Sequence, residues 1–194
     1  MITDHDRSGW IGASDVSYVL GNWKTKTWEK WWMTKLGLNR SHFQTESTMA
    51  GTNWEHKILD SLGLPDMVKD KQILLPDLKL RVNLDGNTAG RIYECKTYKV
   101  GGSSNDIKMM TQNMCPSKYW NQVQVQMFAS KIYGADLVAY GLVPEDYQNY
   151  LRSVDPGRRK LIPIAYDPHW VEQVYLPKHI ILCDALKRGA FPYV

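Results

Sequence analysis

The architecture of this chain follows from residues 80–97, which read Leu80-Arg-Val-Asn-Leu-Asp-Gly-Asn-Thr-Ala-Gly-Arg-Ile-Tyr-Glu-Cys-Lys-Thr97. Apolar residues stand at every second position from 80 to 84, the spacing of a strand with one buried face. This run leads Asp85 into a glycine-bounded turn over residues 86–90. A second extended run follows, so the stretch predicts a pair of neighbouring strands.

The second run carries Glu94 and Lys96 on either side of Cys95. Because successive side chains of a strand point to opposite faces, Glu94 and Lys96 project together and Cys95 points away from them. Asp85 and Glu94 then come from adjoining strands with a lysine beside them.

Two carboxylates and a lysine in this arrangement suit a hard divalent cation. Mg²⁺ prefers oxygen ligands, and one or two carboxylates with a substrate phosphate complete its shell. Lys96 can then orient or help to deprotonate an attacking water, as in metal-assisted phosphodiester hydrolysis. An ordinary hairpin with exposed charges carries the same residue types, so the rest of the chain must decide between them.

The whole chain has the composition of a globular protein. Its 194 residues are 43% hydrophobic and 23% charged, which predicts one domain over residues 1–194. We expect neither a membrane span, which needs about 18 consecutive apolar residues, nor a signal peptide. Three cysteines without paired spacing make a zinc or iron–sulfur site unexpected and fit a reducing cytosol. The net charge of +4 favours a polyanionic partner.

The order of predicted elements indicates a three-layer α/β fold. Helices are expected first: a short segment from Ser14 to Gly21, one over 25–37 with an apolar stripe of Trp28, Trp31, Trp32 and Leu36, and one over 48–62. Strands are expected over 72–75, in the central pair, and over 135–143 and 160–166. The run over 116–132 between them contains no glycine, and its length favours a helix. A last helix is expected from Asp167 to Lys187, kinked or divided at Pro177. Its candidate core residues are Val171, Val174, Ile180, Ile181 and Leu186. Together these elements predict a central mixed sheet of about five strands flanked by helices.

Glu55 is the unusual residue of the helix over 48–62. It precedes Ile58 and Leu59 by three and four positions, so it lies on their apolar face. An ionised carboxylate facing a core is costly unless it is paired or binds a metal. A glutamate at the edge of the stripe that reaches solvent explains the pattern equally well.

Three further residues are candidates for binding a phosphate group. Ser14 at a helix start offers a hydroxyl and backbone N–H groups to a phosphate, and Arg7 could add a cation. Gln122, on the flank of the helix over 116–132, could hold a phosphate oxygen or a water. A plain helix cap, a surface arginine and an ordinary polar flank are the alternatives.

Taken in order, these signals resemble the lambda-exonuclease-like, or YqaJ-type, viral recombinase nucleases of the PD-(D/E)xK superfamily. The resemblance rests on four segments: Arg7 with Ile11-Gly12-Ala13-Ser14-Asp15-Val16, Gly51-Thr52-Asn53-Trp54-Glu55, Asp85-Gly86 with Glu94-Cys95-Lys96, and Tyr119-Trp120-Asn121-Gln122-Val123-Gln124. The sequence departs from the family at Leu84, where a proline commonly precedes the first aspartate.

The resemblance implies a role for each candidate residue. Asp85, Glu94 and the main-chain carbonyl of Cys95 would bind the catalytic cation, and Lys96 would position the attacking water. Glu55 would lie at a second metal, directly or through a water, and Gln122 would be an active-site glutamine. Two Mg²⁺ ions per site are expected, with Mn²⁺ as an alternative. The residues implied for the 5′-terminal phosphate are Arg7 and Ser14.

The resemblance also implies an activity and partners. The expected enzyme digests one strand of duplex DNA from its 5′ end and leaves a 3′ single strand for an annealing protein. It would act as a ring-shaped homotrimer in the cytoplasm of a bacterial host, as a phage or prophage product. The alternatives are an endonuclease of the same superfamily and a non-catalytic protein that binds DNA ends.

Overall fold

The computed structural model describes residues 8–39 and 46–192, and it is a mixed α/β structure. Its strands are β1 (Ile11–Gly12), β2 (Val68–Leu75), β3 (Leu80–Asn87), β4 (Ile92–Lys99), β5 (Gly134–Leu142) and β6 (Arg159–Ala165). Its helices are α1 (Val16–Leu20), α2 (Lys26–Lys35), α3 (Glu46–Asp60), α4 (Asn105–Thr111), α5 (Ser117–Ser130), α6 (Pro144–Gln148), α7 (Pro168–Trp170) and α8 (Leu176–Lys187). Within the described ranges, the helices are too short or too polar to cross a membrane.

The six strands of the described ranges form one sheet with β3 at the point where it branches. β2 runs antiparallel to β3 along almost its whole length. The other edge of β3 is shared, because β1 pairs with Leu80 and Arg81 while β4 pairs only with Gly86 and Asn87. β4 and β5 are parallel, and β5 and β6 are antiparallel. The sheet is therefore mixed, as predicted.

Helices cover both faces of the sheet and bury two separate cores. On one face, residues of α1, α2, α5 and α8 pack against the sheet. On the other face, α3 contributes Trp54, Ile58 and Leu59 to a smaller core that also holds Tyr93 and Cys95 of β4. The three-layer α/β fold predicted from the sequence is thus confirmed.

The first two helices show how local sequence signals set their ends. Thr25 caps α2, since its side chain accepts a hydrogen bond from the Trp28 N–H. Trp28 and Trp32 are buried as the apolar stripe predicts. Ser14, in contrast, was expected at a helix cap and lies within a 3-10 turn over Ala13–Asp15. The backbone cap there is made by Asp15, whose carboxylate accepts the Gly12 N–H.

Two other boundaries differ from the prediction. Asp85 lies inside β3 rather than at the turn, because the strand continues through Gly86 and Asn87 before the chain reverses. The last helix contains a π-helical turn over Val171–Tyr175 between α7 and α8. A π turn inserts an extra residue and rotates the apolar stripe. Three residues predicted in the core are consequently exposed, namely Val174, Ile180 and Ile181.

Candidate active site

A cleft of about 380 Å³ opens where β3 and β4 part. Six of the residues singled out in the sequence line it together: Ser14, Glu55, Asp85, Glu94, Lys96 and Gln122. They come from β3, β4, α3, α5 and the turn after β1. Of the other two, Cys95 does not line the cleft but its main-chain N–H contacts Asp85, and Arg7 lies outside the described residues. The fold therefore gathers into one cavity side chains that are more than 100 positions apart in the chain.

Glu94 lies at the bottom of this cleft and is fully buried. Its Oε1 accepts hydrogen bonds from Lys96 Nζ at 2.5 Å and from Gln122 Nε2 at 2.6 Å. Its Oε2 accepts one from Gln126 Nε2 at 2.6 Å. Three donors on one side chain match an ionised carboxylate, which only accepts hydrogen bonds.

Asp85 is held in place by the parting of the two strands. β4 leaves β3 after Tyr93, so the next main-chain N–H groups on that edge need other partners. The Cys95 N–H donates to Asp85 Oδ2 at 2.8 Å, so a side chain takes over from the strand ladder. This bond places the Asp85 carboxylate beside the β4 segment that carries Glu94. Burial, and then the negative charge of Glu94, raise the pKa of Asp85 well above its usual value.

Glu55 approaches the same carboxylates from α3. It is half-buried and lines the cleft, whereas Trp54, Ile58 and Leu59 of the same helix are buried in the core. Burial raises the pKa of Glu55, and the charge of Glu94 raises it further. Glu55 therefore lies close enough to Glu94 for the two charges to interact.

Two neighbours of Glu55 extend this acidic end of the cleft. His56 Nε2 lies 3.1 Å from Asp70 Oδ2, and Glu55, His56 and Asp70 can each offer a ligand atom within 4.8 Å of the others. Asp70 stands in β2 opposite Asp85, between the pairs Lys69–Gly86 and Lys71–Leu84. Its positive φ of 57° interrupts the regular ladder at that point.

Lys96 is the cation among these acids. Burial lowers the pKa of Lys96, but the charges of Glu94 and Asp85 and the hydrogen bond to Glu94 outweigh that effect. The pKa of Lys96 consequently lies well above its usual value. This raised pKa corresponds to an ammonium ion, which donates a hydrogen bond to Glu94.

The acidic end carries more negative than positive charge. Asp85, Glu94 and Glu55 converge on one lysine, and burial together with the charge of Glu94 raises the pKa values of Asp85 and Glu55. A hard divalent cation would relieve this repulsion, and carboxylate oxygens are the ligands that such cations take. The donor set therefore fits Mg²⁺ or a similar ion.

The opposite end of the cleft is basic. Lys35 and Arg81 line it with Ser14, and both cations are almost fully buried. Lys35 Nζ lies 2.6 Å from Asp15 Oδ2, and Asp15 Oδ1 accepts a hydrogen bond from the Trp31 indole at 3.0 Å. The cleft thus has an acidic end and a basic end joined along β3, from Asp85 to Arg81.

Four lining or supporting residues were missed in the sequence. Arg81 could have been found, because it alternates with Asn83 and Asp85 along one strand. Lys35 could also have been found, since it interrupts the apolar stripe of α2 as Glu55 does that of α3. Asp70 and Gln126 gave no signal, because their roles depend on the register of β2 and on the distance between α5 and the sheet.

Comparisons with known proteins agree with this architecture. The model of the YqaJ-like viral recombinase domain family matches residues 4–132. No curated protein matches the chain significantly. Among solved structures, the alkaline exonuclease LHK-Exo from Laribacter hongkongensis superposes with a TM-score of 0.70 at 17% identity, covering 94% of this chain and 90% of the other.

Two further structures share the fold. LHK-Exo in complex with dAMP has a TM-score of 0.71 at 16% identity, with the same coverage of 94% and 90%. A phage-related exonuclease from Haemophilus somnus has a TM-score of 0.65 at 12% identity, covering 91% of this chain and 92% of the other. At these identities the likeness establishes a common fold.

Asp85→Asn should stabilise the cation-free protein at neutral pH. The raised pKa of Asp85 means that its ionised form destabilises the folded state. The protonated Asp85 contributes its full share to the free energy of unfolding below the unfolded-state pKa of about 3.9. That contribution is lost as pH rises through the folded-state pKa of Asp85. The neutral asparagine escapes this loss, and its carbonyl can still accept the Cys95 N–H. In chelator at pH 7.5 we expect Tm to rise by about 2–4 °C for each ~1 kcal/mol gained.

At pH 4 the difference in Tm between Asp85→Asn and the wild type should be smaller, because Asp85 is then largely protonated in the wild type. Asp66→Asn, which removes an exposed carboxylate, is the matched control and should leave Tm almost unchanged. A lower Tm for Asp85→Asn than for the wild type in chelator at pH 7.5 would contradict this account of the charges.

Proposed function

The chain belongs to the YqaJ-like viral recombinase domain family, and from this premise we propose that it is a Mg²⁺-dependent 5′-to-3′ exonuclease acting on double-stranded DNA. The observation that carries the proposal is the convergence of Asp85, Glu94, Lys96 and Glu55 in one cleft. The shared fold with an alkaline exonuclease and a phage-related exonuclease supports it. The product would be a 3′ single-stranded tail for recombination by annealing.

The cation would be held where the carboxylates converge. Asp85 and Glu94 would be its side-chain ligands. The Cys95 carbonyl would be a third ligand, since it leaves the strand on the same edge as the Cys95 N–H, which bonds Asp85. Glu55, with His56 and Asp70 beside it, would hold a second ion. When bound, such ions activate the attacking water and stabilise the charge that develops on the phosphate and the leaving oxygen.

Lys96 and Gln122 would position the reacting groups. Both donate to Glu94 Oε1 and both line the cleft. As an ammonium ion, Lys96 would hold the attacking water and a phosphate oxygen by charge-assisted hydrogen bonds. Gln122 would offer its amide to the same oxygens. Neither residue needs to lose a proton in this role.

The basic end of the cleft would bind the 5′-terminal phosphate. Ser14 is exposed at this end, and the buried cations Lys35 and Arg81 stand behind it. Arg7, a few residues earlier in the chain, would add a further cation. A terminal phosphate at one end and the scissile bond at the other would fix which strand end enters, because phosphate contacts set position and orientation.

Assembly and partners follow from the same family proposal. A ring-shaped homotrimer around the duplex would keep the enzyme on its substrate after each cut. The 3′ strand that emerges would pass to a single-strand annealing protein. The net charge of +4 is compatible with a DNA partner.

One assay tests activity, metal requirement and polarity together. A linear duplex labelled at one 5′ end and at one 3′ end should lose its 5′ label first as mononucleotides, with Mg²⁺ but not with excess chelator. A closed circular duplex is the control and should stay intact, because it has no end. Rapid nicking of the circle would favour an endonuclease, and DNA-end binding without Mg²⁺-dependent release would favour a non-catalytic protein.

Lys96→Ala should reduce hydrolysis by about 10²-fold or more, the loss typical of removing one charged transition-state contact. DNA binding should largely survive, since most binding comes from phosphate contacts along the duplex. Lys118→Ala is a matched control, because Lys118 lies over the same Tyr119 ring as Lys96 but pairs with Asp106. Substantial cleavage by Lys96→Ala would refute its assignment.

Ser14→Ala should reduce the preference for 5′-phosphorylated over 5′-hydroxyl ends by about 10-fold, as expected for one hydrogen bond to a charged group. The ratio of initial rates on the two substrates measures this. Arg7→Ala should act in the same direction. Ser17→Ala, an exposed serine one turn further on, is the control and should keep the wild-type ratio. An unchanged ratio in Ser14→Ala would remove the terminal-phosphate assignment.

A further inference from the structure

Helix α5 carries three glutamines, Gln122, Gln124 and Gln126, and their side chains do not all bind the same partners. Gln122 and Gln126 are four positions apart and therefore lie on one face of the helix. Each donates to a different oxygen of Glu94, Gln122 to Oε1 and Gln126 to Oε2. Gln122 lines the cleft, whereas Gln126 is completely buried beneath it.

The amide of Gln126 can have only one orientation. Its Nε2 lies 2.6 Å from Glu94 Oε2 and 3.2 Å from the main-chain carbonyl of Asn83, and both of these atoms are acceptors. Turning the amide over would direct its oxygen at two other oxygens. Both N–H groups of Gln126 are therefore committed, one to β4 and one to β3.

This bridge spans the place where β3 and β4 do not pair. Asn83 is two residues before Asp85, and the two strands meet only at Gly86 and Asn87. Gln126 thus ties the strand that carries Asp85 to the side chain of Glu94 from below. The distance between the two carboxylates depends on such ties, because the strand ladder is missing there.

The bridge leaves a buried polar atom unsatisfied. Gln126 Oε1 is buried and accepts no hydrogen bond from any described residue. A buried acceptor without a partner is destabilising. An apolar side chain of similar size at this position would avoid that loss, so the structure retains Gln126 at the expense of stability.

The hydrogen bond from Gln126 helps to fix the orientation of the Glu94 carboxylate. Oε1 accepts from both Lys96 and Gln122 and is then saturated. Oε2 accepts from Gln126 alone and keeps one lone pair. Gln126 and Lys96 hold opposite sides of the carboxylate, so it cannot rotate to exchange its oxygens without breaking three hydrogen bonds.

We propose that Gln126 is a positioning residue that locks Glu94 so that the remaining lone pair of Oε2 faces a divalent cation in the cleft. The inference rests on the proposed metal-dependent function and assigns to that site a supporting residue that does not line the cleft. Outer residues that orient a ligand typically change metal affinity by about 10–100-fold when removed. We therefore expect Gln126→Met to bind its cation about 10-fold more weakly or worse.

Gln124 is a matched control. It is equally buried on the same helix, but its amide donates to the Ala165 carbonyl and accepts from the Asp167 N–H, both at 2.8 Å. These bonds tie α5 to the end of β6 and do not involve the cleft. Gln124→Met also removes two hydrogen bonds, so it should lower Tm at least as much as Gln126→Met while leaving cation affinity unchanged.

The experiment titrates Mg²⁺ and Mn²⁺ alone into the full chain by calorimetry, without DNA, for the wild type and both variants. Gln126→Met should show the weakened affinity, and Gln124→Met should stay within about two-fold of the wild type. On duplex DNA, Gln126→Met should need more Mg²⁺ for half-maximal rate, with KM for DNA unchanged at saturating Mg²⁺. Gln126→Asn keeps an amide but is one methylene shorter, so it should show the same loss of cation affinity. It replaces Gln126→Met in the experiment if the methionine variant does not fold.

The outcomes separate this inference from the function on which it rests. A wild-type protein that binds neither cation and releases no nucleotide overturns the proposed function and the role of Gln126 with it. A wild-type protein that binds and cleaves, with Gln126→Met binding cations equally well, overturns only the role of Gln126. Equal loss of affinity in the Gln124 and Gln126 variants would also overturn it, because the effect would then be general destabilisation.

Discussion

The separation of β3 from β4 is the constraint on which the site depends. Two paired strands normally satisfy each other's backbone along their whole length, but here they meet at only Gly86 and Asn87 on β3. The open interval exposes main-chain groups that need partners. Asp85 satisfies one of them through the Cys95 N–H, and Gln126 satisfies another at the Asn83 carbonyl. The gap in the sheet is thus filled by Asp85, at the acidic end of the cleft, and by Gln126 beneath it.

The carboxylates of Asp85, Glu94 and Glu55 concentrate negative charge beside this gap, and such charge destabilises the folded state. Burial and mutual repulsion raise the pKa values of Asp85 and Glu55, and Lys96 offsets only part of the negative charge. The protein therefore stores unfavourable electrostatic energy where a cation can release it. This is the usual relation between a functional site and the stability of the fold that carries it.

The architecture was largely readable from sequence, and the site only in part. The strand spacing around Asp85 and Glu94, the stripe of α2 and the glycine-free run of α5 predicted the elements that the structure contains. The final helix was harder, because a π turn at Val171–Tyr175 shifts its buried face in a way that periodicity cannot show.

At the site, the sequence reveals those residues whose chemistry is unusual for their local position, such as Glu55 on an apolar face. Asp70 and Gln126 look ordinary in the sequence. Asp70 depends on being paired opposite Asp85, and Gln126 on how closely α5 packs against β3 and β4. Both are products of tertiary contacts that no local pattern encodes, and Ser14 was found for its hydroxyl although its expected role as a cap was wrong.

The two ends of the cleft give the site a direction. β3 carries Arg81 at its start and Asp85 near its end, which at about 3.3 Å per residue separates them by roughly 13 Å. In the proposed function, a terminal phosphate bound at the basic side would direct the DNA backbone toward the acidic side, since the reverse placement would set phosphate against carboxylates. Cations at the acidic end would then serve both the proposed chemistry and the approach of a phosphate to Asp85 and Glu94. If the proposed function holds, binding of DNA at the acidic end would depend on binding of cations by the same three carboxylates.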